Sequence, residues 1–258
     1  MAKIFPKALH SRIITSKKPE PTSLARSSSF NKANVSSFFT NYKKALSRNK
    51  FSPHKIWNCD ESGFTTVHVP PKIIGPKGIK HFGQITSGER GQNITVIAAV
   101  NASGTHIPSM MVFPRVHFKS HMLKEAPVGT VGGANSSGWS NESLFLQLLK
   151  HFKCHVQPSI EGPVILLLDN HDSHVNIPVI QFCPKNSITL VTFHPDTSHK
   201  LQPLDRTVFG PLKTYYNTAC SEWVLMHPGQ PVSIYDVAEL IGKAFPKAFC
   251  PSNILKRF

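Results

Sequence analysis

The sequence predicts a mixed α/β sheet flanked by helices and preceded by a basic extension. Three apolar runs are typical of buried strands, and they cover Ile94–Val100, Val164–Leu168 and Ile188–Phe193. A segment with helical periodicity lies between the runs Val164–Leu168 and Ile188–Phe193. A first half rich in hairpin signals, followed by a β-α-β second half, favours a mixed sheet over a purely helical or purely β architecture.

Length and composition limit the class of protein. The chain has 258 residues, 40% of them hydrophobic, which suffices for one sizeable core or for one domain with a shorter extension. No apolar run approaches the ~18 residues of a membrane span, and the N-terminus lacks the apolar segment of a secretory signal. The five cysteines are dispersed without a C-x-x-C pair, which favours free thiols over disulfides or a zinc finger.

Charge is unevenly distributed along the chain. The net charge is +15, and the isoelectric point is about 9.8. Residues 1–56 contain 12 Lys and Arg against the single acid Glu20, whereas the remaining 202 residues contain 17 against 13 acids. This excess of basic residues predicts a polyanionic partner, most often nucleic acid. The alternative is a basic, Ser-rich leader that is merely soluble and disordered.

The changes in charge and hydrophobic pattern along the chain predict three segments: 1–50 as a basic leader with one helix, 51–250 as the main domain, and 251–258 as a tail. Residues 1–30 have little hydrophobic periodicity and are predicted to be extended or mobile. Asn31 is the predicted cap of a helix. Its apolar stripe comprises Val35, Phe38, Phe39, Tyr42 and Leu46.

The end of this first helix is basic. Lys43, Lys44 and Arg48 lie where they complement the helix dipole. We expect the helix to pack on the neighbouring domain and to offer a basic face to phosphates, rather than to read a DNA sequence by itself.

The next elements are β-strands. Ile56–Asp60 is the first predicted strand, and Glu61–Gly63 is predicted to turn out of it. The strand Ile94–Val100 leads through the hairpin-like turn Asn101–Gly104 into a returning strand, Ile107–Phe113.

Helices and strands alternate in the second half. After the glycine-rich span 129–138, Ser140 or Asn141 can cap an amphipathic helix that continues to Phe152. The predicted elements that follow are the strand Val164–Leu168, a helix near Ile177–Phe182 and the strand Ile188–Phe193.

Two helices complete the prediction. Pro203 suits a first helical turn, so Asp205 would lie at the start of a helix that runs to about Glu222. Ser233-x-x-Asp236 resembles a capping box and would open a last helix ending at Ala244. The whole order agrees with an RNase H-like fold.

Three aspartates follow or open predicted elements: Asp60, Asp169 and Asp205. Open α/β sheets form their ligand sites at the carboxyl ends of strands, so these acids could meet at one point. Mg²⁺ and Mn²⁺ prefer oxygen ligands, and a pair of such ions can drive phosphoryl displacement. The residues therefore predict a divalent-metal site. For each acid taken separately, capping of the next helix is the alternative.

Three motifs give these aspartates a context. They are Ile56–Gly63 (IWNCDESG), Leu168–His174 (LDNHDSH) and Thr197–Asp205 (TSHKLQPLD) followed by VFGPLK. Their sequence resembles that of DDE-superfamily transposases, in the pogo/Tigger/jerky branch of the mariner-like group. The segments 85–91, 100–104 and 137–139 are similar to this branch as well. The resemblance covers roughly residues 25–250, and the 35 residues between Asp169 and Asp205 are a spacing typical of the superfamily.

This resemblance implies an RNase H-like catalytic core in which Asp60, Asp169 and Asp205 hold Mg²⁺ or Mn²⁺. It implies hydrolysis of phosphodiester bonds at transposon ends, strand transfer into target DNA, and residence in the nucleus. The resemblance leaves open whether the protein forms a homodimer.

Two departures from the family pattern stand out. Family members carry N-terminal helix-turn-helix domains that read transposon ends, and this chain is expected to have no room for them. His194-Pro195-Asp196 stands where Pro-Pro-His is expected, and the extra acid could perturb ion placement.

The sequence leaves two rival functions open. A domesticated or truncated derivative would bind DNA without cutting it, which the expected lack of an end-reading domain favours. A metal-dependent phosphohydrolase of small substrates would explain the acids but not the basic leader.

Several other side chains near the motifs have competing interpretations. His171 and His174 form an H-x-x-H pair, for which loop hydrogen bonding or phosphate contact is favoured over zinc. His199 and Lys200 either contact phosphate or lie in a solvated loop. Glu61 is interpreted as structural or supporting. The sequence favours core positions for Trp139, Trp223 and Cys59.

Overall fold

The computed structural model describes residues 23–69, 88, 91–171 and 173–258. Six strands form one sheet: β1 (Ile56–Thr65), β2 (Asn93–Asn101), β3 (Met110–Pro114), β4 (Val131–Asn135), β5 (Val164–Leu168) and β6 (Ile188–Thr192). Their order across the sheet is β4-β3-β2-β1-β5-β6. The β1–β2 and β2–β3 pairs are antiparallel, whereas β3–β4, β1–β5 and β5–β6 are parallel. The predicted mixed sheet is therefore confirmed.

Eight α-helices are described. They are α1 (Leu24–Ser29), α2 (Lys32–Leu46), α3 (Glu142–Val156), α4 (Ile177–Lys185), α5 (Ser198–Leu201), α6 (Phe209–Met226), α7 (Val237–Ala248) and α8 (Pro251–Ile254). A π turn, Leu204–Val208, leads directly into α6. Short 3₁₀ turns cover Pro53–Lys55, Ser120–Leu123 and Leu255–Arg257. In the described part of the chain, no helix has the length and apolar character needed to cross a membrane.

Helices cover both faces of the sheet. Side chains alternate along a strand, so Ile97 and Ala99 of β2 pack against α3 and α4, whereas Val96 and Ala98 pack against α6 and α7. The helix α2 lies over β5 and β6 on the side that Ile165 faces. Burial on both faces explains why the central strands are continuous apolar runs rather than alternating ones.

Asparagine caps set the starts of three helices. The Oδ1 atoms of Asn31, Asn141 and Asn176 accept hydrogen bonds from backbone N–H groups three residues later, at 3.0, 3.0 and 3.1 Å. The predicted start of α2 and the Asn141 cap of α3 are confirmed. The predicted extended leader is wrong for 24–29, which form α1, and its residues 1–22 lie outside the described residues.

The predicted turn at Glu61–Gly63 is wrong. The strand β1 continues to Thr65 because antiparallel pairing with β2 extends from Trp57–Asn101 to Thr65–Asn93. Gly63 lies within the strand, and a Cβ atom at Gly63 would lie 2.6 Å from Oδ1 of Asn93, so the Asn93 side chain would have to shift. Asp60 consequently lies in the middle of a long strand rather than at its end.

The strand β4 was not predicted, because its Val-Gly-Gly sequence has a weak strand signal. These glycines allow close packing: a Cβ on Gly132 would lie 2.0 Å from the ring of Phe118, and one on Gly133 would lie 2.4 Å from Leu144. The strand pairs in parallel with β3 along its whole length.

The C-terminal helices differ in detail from prediction. The single helix expected from Pro203 is divided, so that Asp205 lies in the π turn before α6 begins at Phe209. The last predicted helix begins at Val237 rather than Ser233. The side chain of Asp236 does accept hydrogen bonds from N and Oγ of Ser233, at 2.8 and 2.7 Å, but these bonds stabilise the turn before the helix.

Candidate active site

Asp60 lies on the central strand of the sheet and is almost completely buried, with 7% of its surface exposed. Its Oδ1 accepts a hydrogen bond of 2.8 Å from N of Glu61, whereas its buried Oδ2 has no hydrogen-bond partner. A buried carboxylate oxygen without a donor is costly. The atom is therefore suited to a cation.

The surroundings of Asp60 disfavour its negative charge. Burial raises the pKa of this carboxyl group well above its usual value, the charge of Asp205 raises it further, and Asp169 adds to the effect. The hydrogen bond from N of Glu61 and, to a smaller extent, the side-chain amide of Gln202 act in the opposite direction, although the Gln202 Nε2 donates to the carbonyl oxygen of Cys59 and makes no hydrogen bond to Oδ2 of Asp60. Mutual repulsion between carboxylates is relieved when a cation binds among them.

The register of the parallel strands brings Asp169 towards Asp60. Asn58 of β1 is the partner of Leu167 of β5, and two further residues along each strand lead to Asp60 and Asp169. Neighbouring strands lie about 4.8 Å apart. Asp169, which directly follows the last residue of β5, therefore lies beside Asp60.

His174 connects Asp169 to a second acid. Its Nδ1 lies 2.5 Å from Oδ1 of Asp169, and its Nε2 lies 3.0 Å from Oε1 of Glu61. Burial opposes the charged imidazole, but the hydrogen bonds and charges of Asp169 and Glu61 outweigh this effect and raise the pKa of His174 to about 9. The ring is therefore an imidazolium at neutral pH.

This arrangement stabilises the charged form of Asp169. Burial alone would raise the pKa of its carboxyl group, but the hydrogen bond and charge of His174, with the backbone N–H of His171, lower it below its usual value. Both of these hydrogen bonds engage Oδ1, at 2.5 Å from His174 and 3.2 Å from N of His171. A cation can therefore bind Oδ2 without breaking either.

Asp205 projects from the π turn and is exposed. The neighbouring Leu204 and Val208 are fully buried in the core that α6 and α7 share. The carboxylate of Asp205 is close enough to Asp60 for its charge to raise the pKa of Asp60. Asp169 and Asp205 thus both lie near enough to Asp60 for their charges to affect its carboxyl group, and Asp60 is the most buried of the three predicted acids.

A pocket of about 230 Å³ opens over two of these acids. Its lining comprises Asp60, Glu61, Trp139, Ser140, Asp169, His171, Ser173 and His174. The core position favoured for Trp139 is wrong, since 55% of its surface is exposed. It follows Gly138, whose positive φ of 73° turns the chain outward. Trp223 is buried in the core, as predicted.

The donor set fits a hard divalent cation only in part. Asp60, Asp169 and Asp205 supply oxygen ligands of the type that Mg²⁺ and Mn²⁺ prefer. Among the residues that the structure describes, however, no three His, Cys, Asp or Glu side chains are grouped closely enough to hold a metal ion as they stand.

The predicted phosphate-contacting residues divide into two groups. His171 lines the pocket and bonds to Oγ of Ser173 at 2.8 Å, and His199 and Lys200 lie in α5, shortly before Asp205. Lys200 is exposed, whereas the His199 ring is half-buried against Phe30.

The basic end of α2 lies elsewhere. Phe38, near the middle of α2, stacks on Phe193 after the end of β6, whereas Lys44 and Arg48 line a groove beside Thr189–Thr192. The helix therefore runs antiparallel to β6, and its basic end, with exposed Lys43, lies away from the carboxylates.

The pairing of His174 with Glu61 was not predicted from the sequence. The side chain of Glu61 faces the opposite side of the sheet from Asp60, because successive side chains alternate, and there it meets His174. The two residues are 113 positions apart. The H-x-x-H spacing drew attention to His174 but gave no sign of its carboxylate partners.

Comparison with known proteins gives the family. Residues 91–258 match the model of the DDE superfamily endonucleases. This chain belongs to that superfamily. The resemblance drawn from the three aspartate motifs is thus confirmed at the level of the superfamily.

Solved structures of the Mos1 transposase share the fold. The Mos1 strand transfer complex gives a TM-score of 0.54 at 15% identity, and the Mos1 mariner paired-end complex with Mn gives 0.53 at 15%. Each comparison covers 96% of this chain and 68% of the Mos1 chain. The predicted RNase H-like fold is confirmed by this likeness.

One curated relative has a different description. The MFS-type transporter clz9 of Cochliobolus lunatus is 25% identical over 222 residues, which are 84% of this chain and 24% of the relative. The chain thus spans about a quarter of the length of that protein.

Proposed function

We propose that this chain is the core of a divalent-metal-dependent DNA endonuclease or transposase of the DDE type, in the pogo/Tigger/jerky branch. The observation that carries the proposal is the buried Oδ2 of Asp60, which has no hydrogen-bond partner and belongs to a carboxyl group whose pKa is raised by burial and by the charges of Asp205 and Asp169. Such a group of acids is stable when a cation neutralises it. The net charge of +15 supports DNA as the substrate, and the nucleus is the proposed compartment.

Each acid has a proposed role. Asp60 would supply a rigid ligand from the central strand, Asp169 would supply its Oδ2, and Asp205 would approach from the π turn. Bound Mg²⁺ or Mn²⁺ supplies Lewis-acid activation of a water and of the phosphodiester group. His174 and Glu61 would hold Asp169 in its charged form throughout.

The Mos1 structures support the proposal by analogy. They include a paired-end complex with Mn and a strand transfer complex. Both describe assemblies of a transposase of the same fold, so cleavage and joining of DNA ends is the chemistry we propose for this chain.

A second function is favoured by the spacing of the acids. Because no three potential ligands within the described ranges are grouped closely enough to hold a metal ion, a derivative that binds DNA without cutting it is the alternative. In that protein the His174–Asp169 pair would be a structural ion pair rather than support for a ligand.

Nicking of supercoiled plasmid with Mn²⁺ or Mg²⁺ tests the proposal. The wild-type chain is compared with Asp169→Asn, which removes one ligand charge, and with Glu161→Gln as the control. Glu161 is exposed in the loop before β5, so Gln makes the same change from carboxylate to amide at the opposite end of that strand from Asp169. We expect nicking by the wild type and the control, and none by Asp169→Asn. Salt-sensitive DNA binding by all three proteins without metal-dependent nicking would favour the non-cutting alternative.

A further inference from the structure

One buried side chain connects the three elements that carry the aspartates. Asn58 is completely buried. Its Nδ2 donates to the carbonyl oxygen of Leu167 at 3.1 Å, and its Oδ1 accepts from the backbone N of Leu204 at 3.1 Å. A weaker contact of 3.4 Å joins Nδ2 to the carbonyl oxygen of Cys59.

These partners stand next to the acids in sequence. Asn58 is two residues before Asp60 and points to the same face of β1. Leu167 is two residues before Asp169, and Leu204 immediately precedes Asp205. The backbone at each acid is thereby connected to a single amide.

A second buried amide reinforces this connection. Gln202 has no exposed surface, and its Nε2 donates to the carbonyl oxygen of Cys59 at 3.4 Å. It lies on the short link between α5 and the π turn. The segment before Asp205 is therefore bonded to β1 at two neighbouring residues, Asn58 and Cys59.

We propose that Asn58 is a positioning residue, which sets the separation of Asp60, Asp169 and Asp205 and thereby the affinity of the site for a divalent cation. An apolar side chain could fill the same space, but it would leave the N–H of Leu204 and the carbonyl of Leu167 without their side-chain partner. An amide serves both because it carries one acceptor and two donors. The inference rests on the proposed function, since it concerns the cation of that site.

The test compares Asn58→Ser with a matched asparagine. A serine hydroxyl is too short to reach both partners, and it leaves a small polar group that water can solvate. The control is Asn101→Ser. Asn101 is also buried, and its Oδ1 accepts from the backbone N of Ser103 and Thr105 at 3.1 and 3.0 Å. Its Nδ2 donates to the carbonyl oxygen of His54 at 3.4 Å, so its bonds join the turn after β2 to the turn before β1 and reach none of the three aspartate-bearing positions.

The main readout is thermal unfolding with and without Mn²⁺, because a cation that binds only the folded state raises the melting temperature with its concentration. In EDTA both variants should melt below the wild type. The Mn²⁺ concentration that gives half of the full rise should increase roughly 10–100-fold for Asn58→Ser, and it should stay at the wild-type value for Asn101→Ser. Nicking by Asn58→Ser should recover at saturating Mn²⁺, which a loss of folded protein would not allow.

Two other results would overturn the inference in distinguishable ways. If Asn58→Ser and the wild type require the same Mn²⁺ concentration, Asn58 only stabilises the fold, and the proposed function stands. If the wild type shows neither a rise in melting temperature with Mn²⁺ nor nicking, the proposed function fails and the positioning role falls with it. Should Asn58→Ser not fold, Asn58→Thr provides the same comparison, since its added methyl group fills more of the site.

Discussion

Nδ1 of His174 lies 2.5 Å from Oδ1 of Asp169. This contact joins an imidazolium to one of the three aspartates of the predicted site, and Glu61 binds the other side of the ring. The ring of Phe145 lies 4.2 Å from that of His174, between centroids, and helps to bury it. The charge of Asp169 is therefore balanced by the protein itself before any cation arrives.

This ion pair should make the stability of the metal-free protein depend on pH. The pKa of His174 is about 9 in the folded protein and near 6.5 in an unfolded chain. Its contribution is thus complete below about pH 6.5 and is lost as the pH rises through about 9. With allowance for screening at the partly exposed Asp169, the loss is on the order of 2 kcal/mol.

Urea unfolding in EDTA between pH 6 and 10 measures this dependence. His174→Gln cannot become protonated, so the difference in unfolding free energy between it and the wild type should shrink as the pH rises. A difference that stays constant over this range would contradict the ion pair.

Replacement of Asp60 by Asn should stabilise the metal-free fold. Burial and the charge of Asp205 raise the pKa of this carboxyl group. An acid with a raised pKa lowers stability at pH values above its unfolded value, near 3.9. Asn keeps the acceptor for N of Glu61 and removes the charge. In EDTA at pH 7.5, chemical unfolding should show a gain of roughly 0.5–2 kcal/mol.

With saturating Mn²⁺ the wild type should become more stable than Asp60→Asn, because the cation stabilises the wild type but not the variant. Glu161→Gln is the control, and its exposed position in the loop before β5 predicts a change within about 0.5 kcal/mol. A less stable Asp60→Asn in EDTA would mean that the carboxylate has a donor or a cation even there.

The basic end of α2 should contribute to DNA affinity without affecting the metal site. Lys43→Glu with Lys44→Glu should weaken binding to DNA of any sequence and reduce the slope of log K against log salt by about 0.9 for each lost phosphate contact. The matched double variant is Lys150→Glu with Lys153→Glu, which makes the same charge change on α3, across the sheet. Fluorescence anisotropy over a series of salt concentrations measures both.

Equal effects of the two double variants would mean that only net charge matters. The rise in melting temperature with Mn²⁺ should be unchanged in both, because the basic end of α2 lies away from the carboxylates.

Local sequence signals predicted most of the architecture. The apolar runs of β2, β5 and β6 and the asparagine caps of α2 and α3 depend on neighbouring residues, so they could be predicted from short windows. The errors occurred where distant residues decide the structure. Pairing with β2 extends β1 beyond Gly63, and close packing on Phe118 and Leu144 turns a glycine-rich span into β4.

The candidate site shows the same division. The three aspartates could be proposed from their motifs, and the parallel register accounts for the approach of two of them. A supporting role for Glu61 and hydrogen bonding of His174 in its loop were expected. The pairing of Glu61 with His174 and the bonds of Asn58 to Leu167 and Leu204 could not be predicted, because these contacts join positions 109 to 146 apart in the chain. The π turn at Asp205 was also missed, since a single additional residue in a helical turn has no clear composition signal.

The hydrogen bonds of Asn58 have a consequence for how the protein is made. They join β1 to Leu167 and to Leu204, and contacts between such distant positions form only when most of the chain has become ordered. A nascent polypeptide that still holds Leu204 inside the ribosome has both other aspartates but cannot assemble them. Assembly of the carboxylate centre therefore waits until the segment around Leu204 has been synthesised and has left the ribosome.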